Sequence, residues 1–334
     1  MADAEPGSKP AEKEQKPPEG LSQFIGKVLD QLSLSAWMPA AMLVGCGAVL
    51  LQLRSQQNFN VGAAVVALTA KPLGILVVLA FALVLATKIS QAFSFSAIRF
   101  FEGYWKGPLV WLGVYRLLVR RKAKKRVNLE TRLEKQTKRA FEAARPILLE
   151  RHIARSLIDA AEDAAYSRPL TARREQLAAE FHWQEWLPPD VAGRLVRIEQ
   201  AQRDYPPPHL MLPTKLGNIL RATEYEITEG VGDPQDLVLR RGDTIPSRLR
   251  LHHDQFRTRL DMYCTLILVH LALAALSLAL LGSAGLPVAG TAVTTTTFLI
   301  LAGASYSAAI ASARGYCTTL SVIFSTESES TPRG

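Results

Sequence analysis

Four stretches of this chain carry almost no charge: 36–71, 72–87, 262–281 and 286–313. The remainder is crowded with Lys, Arg, Asp and Glu. A helix crosses a bilayer core with about 20 mostly apolar residues. Charge-free runs of that length, set apart from a charged remainder, constrain the chain more than its total hydrophobic content does. The expected fold class is all-α: a polytopic membrane protein with two transmembrane hairpins flanking a helical cytoplasmic insert.

The first expected span is 36–54, with Trp37 as an interfacial anchor at its start and Arg54 at its end. The apolar stretch 61–87 is interrupted at Lys71-Pro72. As one helix it would measure about 40 Å. The preferred span is therefore 72–92, with Lys71 at one interface and Lys88 snorkelling at the other. The third span is expected at 262–281 and the fourth at 288–311, joined by a tight turn at 282–287. Residues 1–20, rich in Pro, Glu and Lys, are expected to be disordered. Residues 21–35 carry Leu21, Phe24, Ile25, Val28, Leu29 and Leu32 at the spacing of an amphipathic interfacial helix. A tail is expected over 314–334.

Between Lys88 and Leu260 there are 31 Lys and Arg against 21 Asp and Glu, an excess that accounts for the net charge of +9 on the whole chain. Its densest part is the RLLVRRKAKKR run at 116–126. Basic residues beside spans mark the cytoplasmic side. That places the insert, over 107–261, and both termini in the cytoplasm, in a bacterial plasma membrane. Nucleic acid is not an expected partner, because neither an aromatic-interleaved basic pattern nor a helix-turn-helix pattern is present.

Within the insert, 109–119 is apolar yet too short to span, so it is expected to lie along the interface or packed on the bundle, with a re-entrant segment as the alternative. Apolar stripes then predict three or four helices over 127–205. Pro146 is expected to interrupt the first, Thr171 to cap a later one and Asp190 to cap the last. Thr214, ahead of Leu216, Ile219 and Leu220, predicts an N-cap, with Gly230 as the stop. A turn-rich stretch follows at 231–246. Ser247 opens a helix expected to run unbroken into the third span.

Two segments, FFEGYW (Phe100–Trp105) and LPTKLGNILRATE (Leu212–Glu224), resemble a group of uncharacterised bacterial membrane proteins of high-GC, actinobacterial type, which share EGYW and PTxLGNxLRAxE segments around a cytoplasmic insert. The chain departs from that pattern at DLVLRR (Asp236–Arg241), where those proteins often continue with an aromatic VVLWPRL segment. The resemblance implies an architecture and a type of host, and carries no activity.

Four groups of residues are candidates for function. His270 lies inside the third span, where an ionisable side chain marks either a proton pathway or a neutral imidazole bonded to a neighbouring helix. Thr294, Thr297 and Tyr306 on the fourth span form either a polar seam facing His270 or ordinary helix contacts. Arg120, Arg121, Lys122, Lys124, Lys125 and Arg126 can grip anionic lipid headgroups. Lys215, Asn218, Arg221 and Glu224, three residues apart, give one continuous polar helix face suited to a partner or to assembly. The alternative is an ordinary surface helix packing its apolar Leu face on the insert. No catalytic motif is present. Cys46, Cys264 and Cys317 form no CxxC pair, adjacent His252 and His253 point about 100° apart and chelate poorly, and no metal or other cofactor is expected. The reading is a non-enzymatic integral membrane protein whose cytoplasmic insert mediates partner binding or self-assembly, as a homo-oligomer or with a cytoplasmic protein. The alternative is an oligomeric channel or pore-forming effector.

Overall fold

The structure is a computed structural model that describes residues 34–56, 59–105, 109–228 and 245–330. The regular elements among them are helical: α1 (Leu34–Gln56), α2 (Val61–Thr69), α3 (Leu73–Glu102), α4 (Leu109–Glu150), α5 (Arg155–Ala165), α6 (Ala172–Glu180), α7 (Pro189–Arg203), α8 (Lys215–Thr228), α9 (Ser247–Ser283) and α10 (Val288–Ser330), with short 3-10 turns at Trp183–Trp186 and Pro208–Leu210. The expected helix at 21–35 (up to Ser33), the break at 106–108, the stop at Gly230 and the turns over 231–244 lie outside the described residues.

Four helices are long and apolar enough to cross a membrane: Trp37–Gln56, Gly74–Glu102, Ser247–Ser283 and Val288–Ser325. The interruption at Lys71-Pro72 separates α2 from α3, because Pro72 has no N–H to give and stands at the N-cap of α3 with an extended ψ of 151°. α3 then outruns the expected 72–92 span by ten residues. Its outer surface is apolar and open, with Val78, Phe81, Leu85, Phe93 and Phe95 all exposed and Phe81 at 76%. Such a surface on so many consecutive turns is what lipid tails accommodate.

α9 is the centre of the bundle. It packs against α1, α3 and α10, while α1 packs on α3 and α2. One buried cluster joins Leu50 and Leu53 of α1 to Val269, Leu273 and Leu281 of α9 and Phe298 of α10. Gly285, at φ +67°, makes the turn between α9 and α10.

Three expectations about the polar regions are corrected. The 109–119 stretch is not a separate interfacial segment: α4 is continuous over 42 residues, about 63 Å. Pro146 does not interrupt it, and the helix runs on to Glu150. The missing hydrogen bond is offset by burial of Phe141, Ala144 and Leu148 against Ile158, Trp183 and Leu195 of the following helices. Arg314 does not begin a tail. α10 continues to Ser330, and Tyr316, Cys317, Leu320 and Ile323 are buried.

Candidate functional site

The site is built where the last turn of α3 meets the first turn of α8. α3 ends at Gly103, in the left-handed region at φ +98°, where its N–H returns to the Phe100 carbonyl. A side chain there would be strained, and its Cβ would also lie 2.7 Å from the ring carbons of Pro213. α8 begins after Thr214. The Thr214 hydroxyl donates to the Glu102 carbonyl at 2.9 Å and accepts the Gly217 N–H at 3.0 Å. One hydroxyl thus satisfies the carbonyl end of one helix and the amide end of another. The approach is so close that a Cβ on Gly217 would stand 1.8 Å from the Glu102 carbonyl oxygen. The Glu102-Gly103-Tyr104-Trp105 and Pro213–Asn218 segments are therefore direct neighbours, although more than a hundred residues separate them in sequence.

The segment leading into α8 is held by Asn218. Its side chain is fully buried, accepts from the Leu212 N–H at 2.8 Å, and donates to the carbonyls of Leu212 at 2.8 Å and Thr214 at 2.6 Å. This corrects the expected partner face. Asn218 is an internal strut, so Lys215, Asn218, Arg221 and Glu224 do not share one open surface. Arg221 and Glu224 pair with each other at 3.1 Å, and Lys215 lies 3.8 Å from Asp204. The apolar face of α8 also goes elsewhere than expected. Leu216, Ile219 and Leu220 join Ala97 of α3, Leu260, Cys264 and Ile267 of α9, and Ala309, Ala313, Tyr316 and Cys317 of α10 in one buried cluster. α8 is a fifth helix of the span bundle, docked on α3 and α10.

Asp204, at the C-cap of α7, makes the second tie. Its carboxylate receives the Arg314 guanidinium of α10 at 2.7 and 3.3 Å. The buried Asp204 carboxylate holds the end of the α4–α7 block against α10.

The basic run on α4 divides into two faces. Arg120, Arg121, Lys124 and Lys125 are exposed. Lys122 and Arg126, one turn apart, are half-buried on the side of Val119 and Leu129, which pack with Tyr205 and Met211. Arg126 donates to the Pro206 carbonyl and pairs with Glu130 at 2.8 Å. Its role is internal bracing as well as surface charge. Burial first, and then Lys125 and Lys215, push the Lys122 ammonium below the usual lysine range. On the same side of the molecule the Trp105 indole donates to the Phe100 carbonyl at 2.7 Å and meets Tyr115 edge-on at 6.4 Å. Burial, followed by the negative charge of Glu224, raises the Tyr104 phenol above its ordinary value.

Two polar pairs join α9 to α10. Ser305 lies 3.2 Å from His270 Nδ1, and Ser277 lies 2.9 Å from Thr295. His270 is buried, and among the described residues its Nε2 has no hydrogen-bond partner. Thr294 and Thr297 donate to the carbonyls of Gly290 and Val293 on their own helix, and neither bonds to His270. Tyr306 packs partly buried against the cluster that holds Leu216 and Ile219 of α8. The expected seam facing His270 thus narrows to Ser305, while Tyr306 belongs to the α8 junction. His253 is buried against the Tyr316 ring, 4.9 Å between centroids, and is not beside an open His252 chelate. Among the described residues, no three His, Cys, Asp or Glu side chains come together as a metal site would require.

Sequence reasoning missed Glu102, Gly103, Asp204, Gly217 and Arg314 as parts of this junction. The available signal was the pair of glycines: Gly103 directly after an apolar helix, and Gly217 inside the first turn of another, where glycine is otherwise unfavourable. No protein-family model, curated protein or solved structure matches the chain.

Proposed function

We propose that this is a non-enzymatic, multi-pass membrane protein whose helical insert mediates self-assembly or binding to a cytoplasmic partner. Its spans serve as an anchor that moves with the insert. In this reading the two hairpins are α1/α3 and α9/α10, the insert runs from α4 through α8, and the insert and both termini lie in the cytoplasm of a bacterial cell, beneath its plasma membrane. The observation that carries the proposal is the position of α8: it belongs to the insert by sequence and to the span bundle by packing. A load on the α4–α7 block reaches the spans through two short links, Asp204–Arg314 and Thr214–Glu102. The block itself projects the exposed surface of α4, α5 and α6, which is where a partner or a second copy would bind.

The test is the mass of the full chain purified from native membranes into lipid nanodiscs, with its co-purifying proteins identified. Two or more copies per particle, or a stoichiometric cytoplasmic protein, is the expected result. A single copy with no companion counts against the proposal.

A pore-forming oligomer is the second reading. Thr296, Thr297 and Ser307 lie exposed on α10, where neighbouring copies could enclose them. Thr297 and Ser307 already bond to their own helix carbonyls, which weakens that reading. Ion flux through liposomes holding the purified protein distinguishes it from the first.

A further inference from the structure

Between Gly103 and Leu129 the chain carries no Asp or Glu, and the basic run falls within this stretch. α4 sorts that charge onto two sides. Lys122 and Arg126 turn inward with Val119 and Leu129, toward Tyr205 and Met211. Leu117, Arg121 and Lys124 follow at the four- and three-residue spacing of the opposite side, with Val114 one turn before them and Val127 at its edge. All five are exposed, Leu117 at 56%. The outward side is therefore apolar as well as basic, the combination carried by helices that lie in a membrane interface.

Two contacts fix how this part of α4 lies. Tyr115 meets Trp105 at 6.4 Å, and the Trp105 indole donates to the carbonyl of Phe100, in the last turn of α3. Arg126 donates to the carbonyl of Pro206, two residues after Asp204, which holds Arg314 of α10 at 2.7 Å. Glu102 closes a span-length helix of 29 residues, about 43 Å long, and Arg314 lies 26 residues beyond the start of α10, about 39 Å along it. Counted from the far ends of their spans, both are past a hydrocarbon core of about 30 Å, and their levels differ by about 4 Å. Tyr115 and Arg126 are about 16 Å apart along α4. A helix that advances so far between two anchors of nearly equal depth runs along the membrane surface more than away from it.

We propose that α4 over 114–127 is an in-plane docking helix that seats the insert on an anionic phospholipid surface. Val114 and Leu117 reach toward the acyl chains, and Arg121 and Lys124 take the headgroup phosphates. The two anchors hold this side at the level where headgroups surround the spans, and its charge complements anionic lipid. Nucleic acid or an acidic protein would match the basic residues and would leave Val114 and Leu117 without a partner. The apolar contact sets the depth of the helix, and the basic contact sets its preference for anionic lipid. The expected six-residue grip on headgroups narrows accordingly: Lys122 and Arg126 brace the insert from inside. The inference rests on the membrane reading above, but not on assembly.

The test uses the full chain in nanodiscs of phosphatidylglycerol or of phosphatidylcholine. A small fluorophore is placed on L117C or, as a control, on R173C at an exposed position of α6. Both variants carry C46A, Cys264 and Cys317 being buried. Alkaline extraction from native membranes first reports whether the chain is integral, so a failure of the membrane reading is seen separately. Lipids brominated on their acyl chains should quench the label at 117 and not at 173, and more strongly in phosphatidylglycerol. R121Q/K124Q should lower retention of phosphatidylglycerol by the purified protein about thirtyfold, and K122Q should leave it unchanged. R121Q/K124Q keeps the inward contacts of α4 and should unfold like wild type. An integral chain whose label at 117 is quenched no more than at 173, or equally in the two lipids, overturns the proposal. So does retention of phosphatidylglycerol that falls in K122Q and not in R121Q/K124Q. Nucleic acid or an acidic protein that leaves the preparation with R121Q/K124Q while lipid retention stays would also overturn it. A single-copy protein that passes these tests leaves the docking helix standing and removes only the assembly reading.

Discussion

The Thr214 side chain closes the gap to Glu102: its hydroxyl donates to the Glu102 carbonyl at 2.9 Å and accepts the Gly217 N–H at 3.0 Å. The negative end of the α3 dipole thereby meets the positive end of the α8 dipole. Replacing Thr214 by Val keeps the shape and removes both bonds. The expected cost is about 2 kcal/mol, because two buried backbone groups lose their partner together. Thr214→Ser should recover most of it. Thermal unfolding of the full chain in detergent measures both.

Gly217→Ala should be far more damaging. Its Cβ would lie 1.8 Å from the Glu102 oxygen and 2.7 Å from the Glu102 carbonyl carbon, and backbone cannot step aside as a side chain can. The expected loss exceeds about 4 kcal/mol, the range that unfolds marginal proteins. Gly45 and Gly303, with nothing within 4 Å, are the controls. Alanine at either should be neutral or slightly stabilising within a helix. Yield of folded protein from membranes and its unfolding temperature separate the two classes.

Asn218→Ala is expected to cost about 3 kcal/mol, since it leaves the N–H and C=O of Leu212 buried without their side-chain partner. Asn218→Asp should be comparably harmful. The aspartate keeps an acceptor for the Leu212 N–H and turns the amide donor into an oxygen facing the carbonyls of Leu212 and Thr214. If Asn218 instead lay on an open binding face, both variants would unfold like wild type and lose only binding.

Lys122 gives a pH dependence with a definite sign. Its ammonium is depressed from the ordinary 10.5 by burial and by Lys125 and Lys215. Protonation therefore opposes folding. The cost is full at pH 7, and it is relieved as pH rises through the depressed value toward 10.5. Lys122→Met should raise the unfolding temperature at pH 7 by about 2 °C, and this advantage should shrink as pH approaches 10. An advantage that does not change across that range would show that the gain comes from packing alone.

The helical class and the four apolar helices were legible because lipid-length runs leave a mark in composition that no other constraint imitates. The start of α3 at Pro72 and the N-cap at Thr214 were legible for local reasons, a missing N–H and a hydroxyl ahead of an apolar helix. The fate of α8 was not. Leu216, Ile219 and Leu220 announce an apolar face, and nothing in their spacing says whether the insert or the spans will cover it. Likewise Asn218 fits the spacing of an exposed polar stripe, and only the folded-back Leu212 backbone reveals why it is buried. Pro146 misled for the opposite reason: a local helix breaker was overruled by the tertiary burial of Phe141 and Leu148.

The most direct test of α8 as the joint between insert and spans is hydrogen exchange of the full chain in nanodiscs, resolved over 215–228. Its amides should be protected as strongly as those of α9 over 260–273, and Thr214→Val should lower protection in α8 and in the last turn of α3 together. Exchange of α8 at the rate of α5 and α6, unchanged by Thr214→Val, would contradict it.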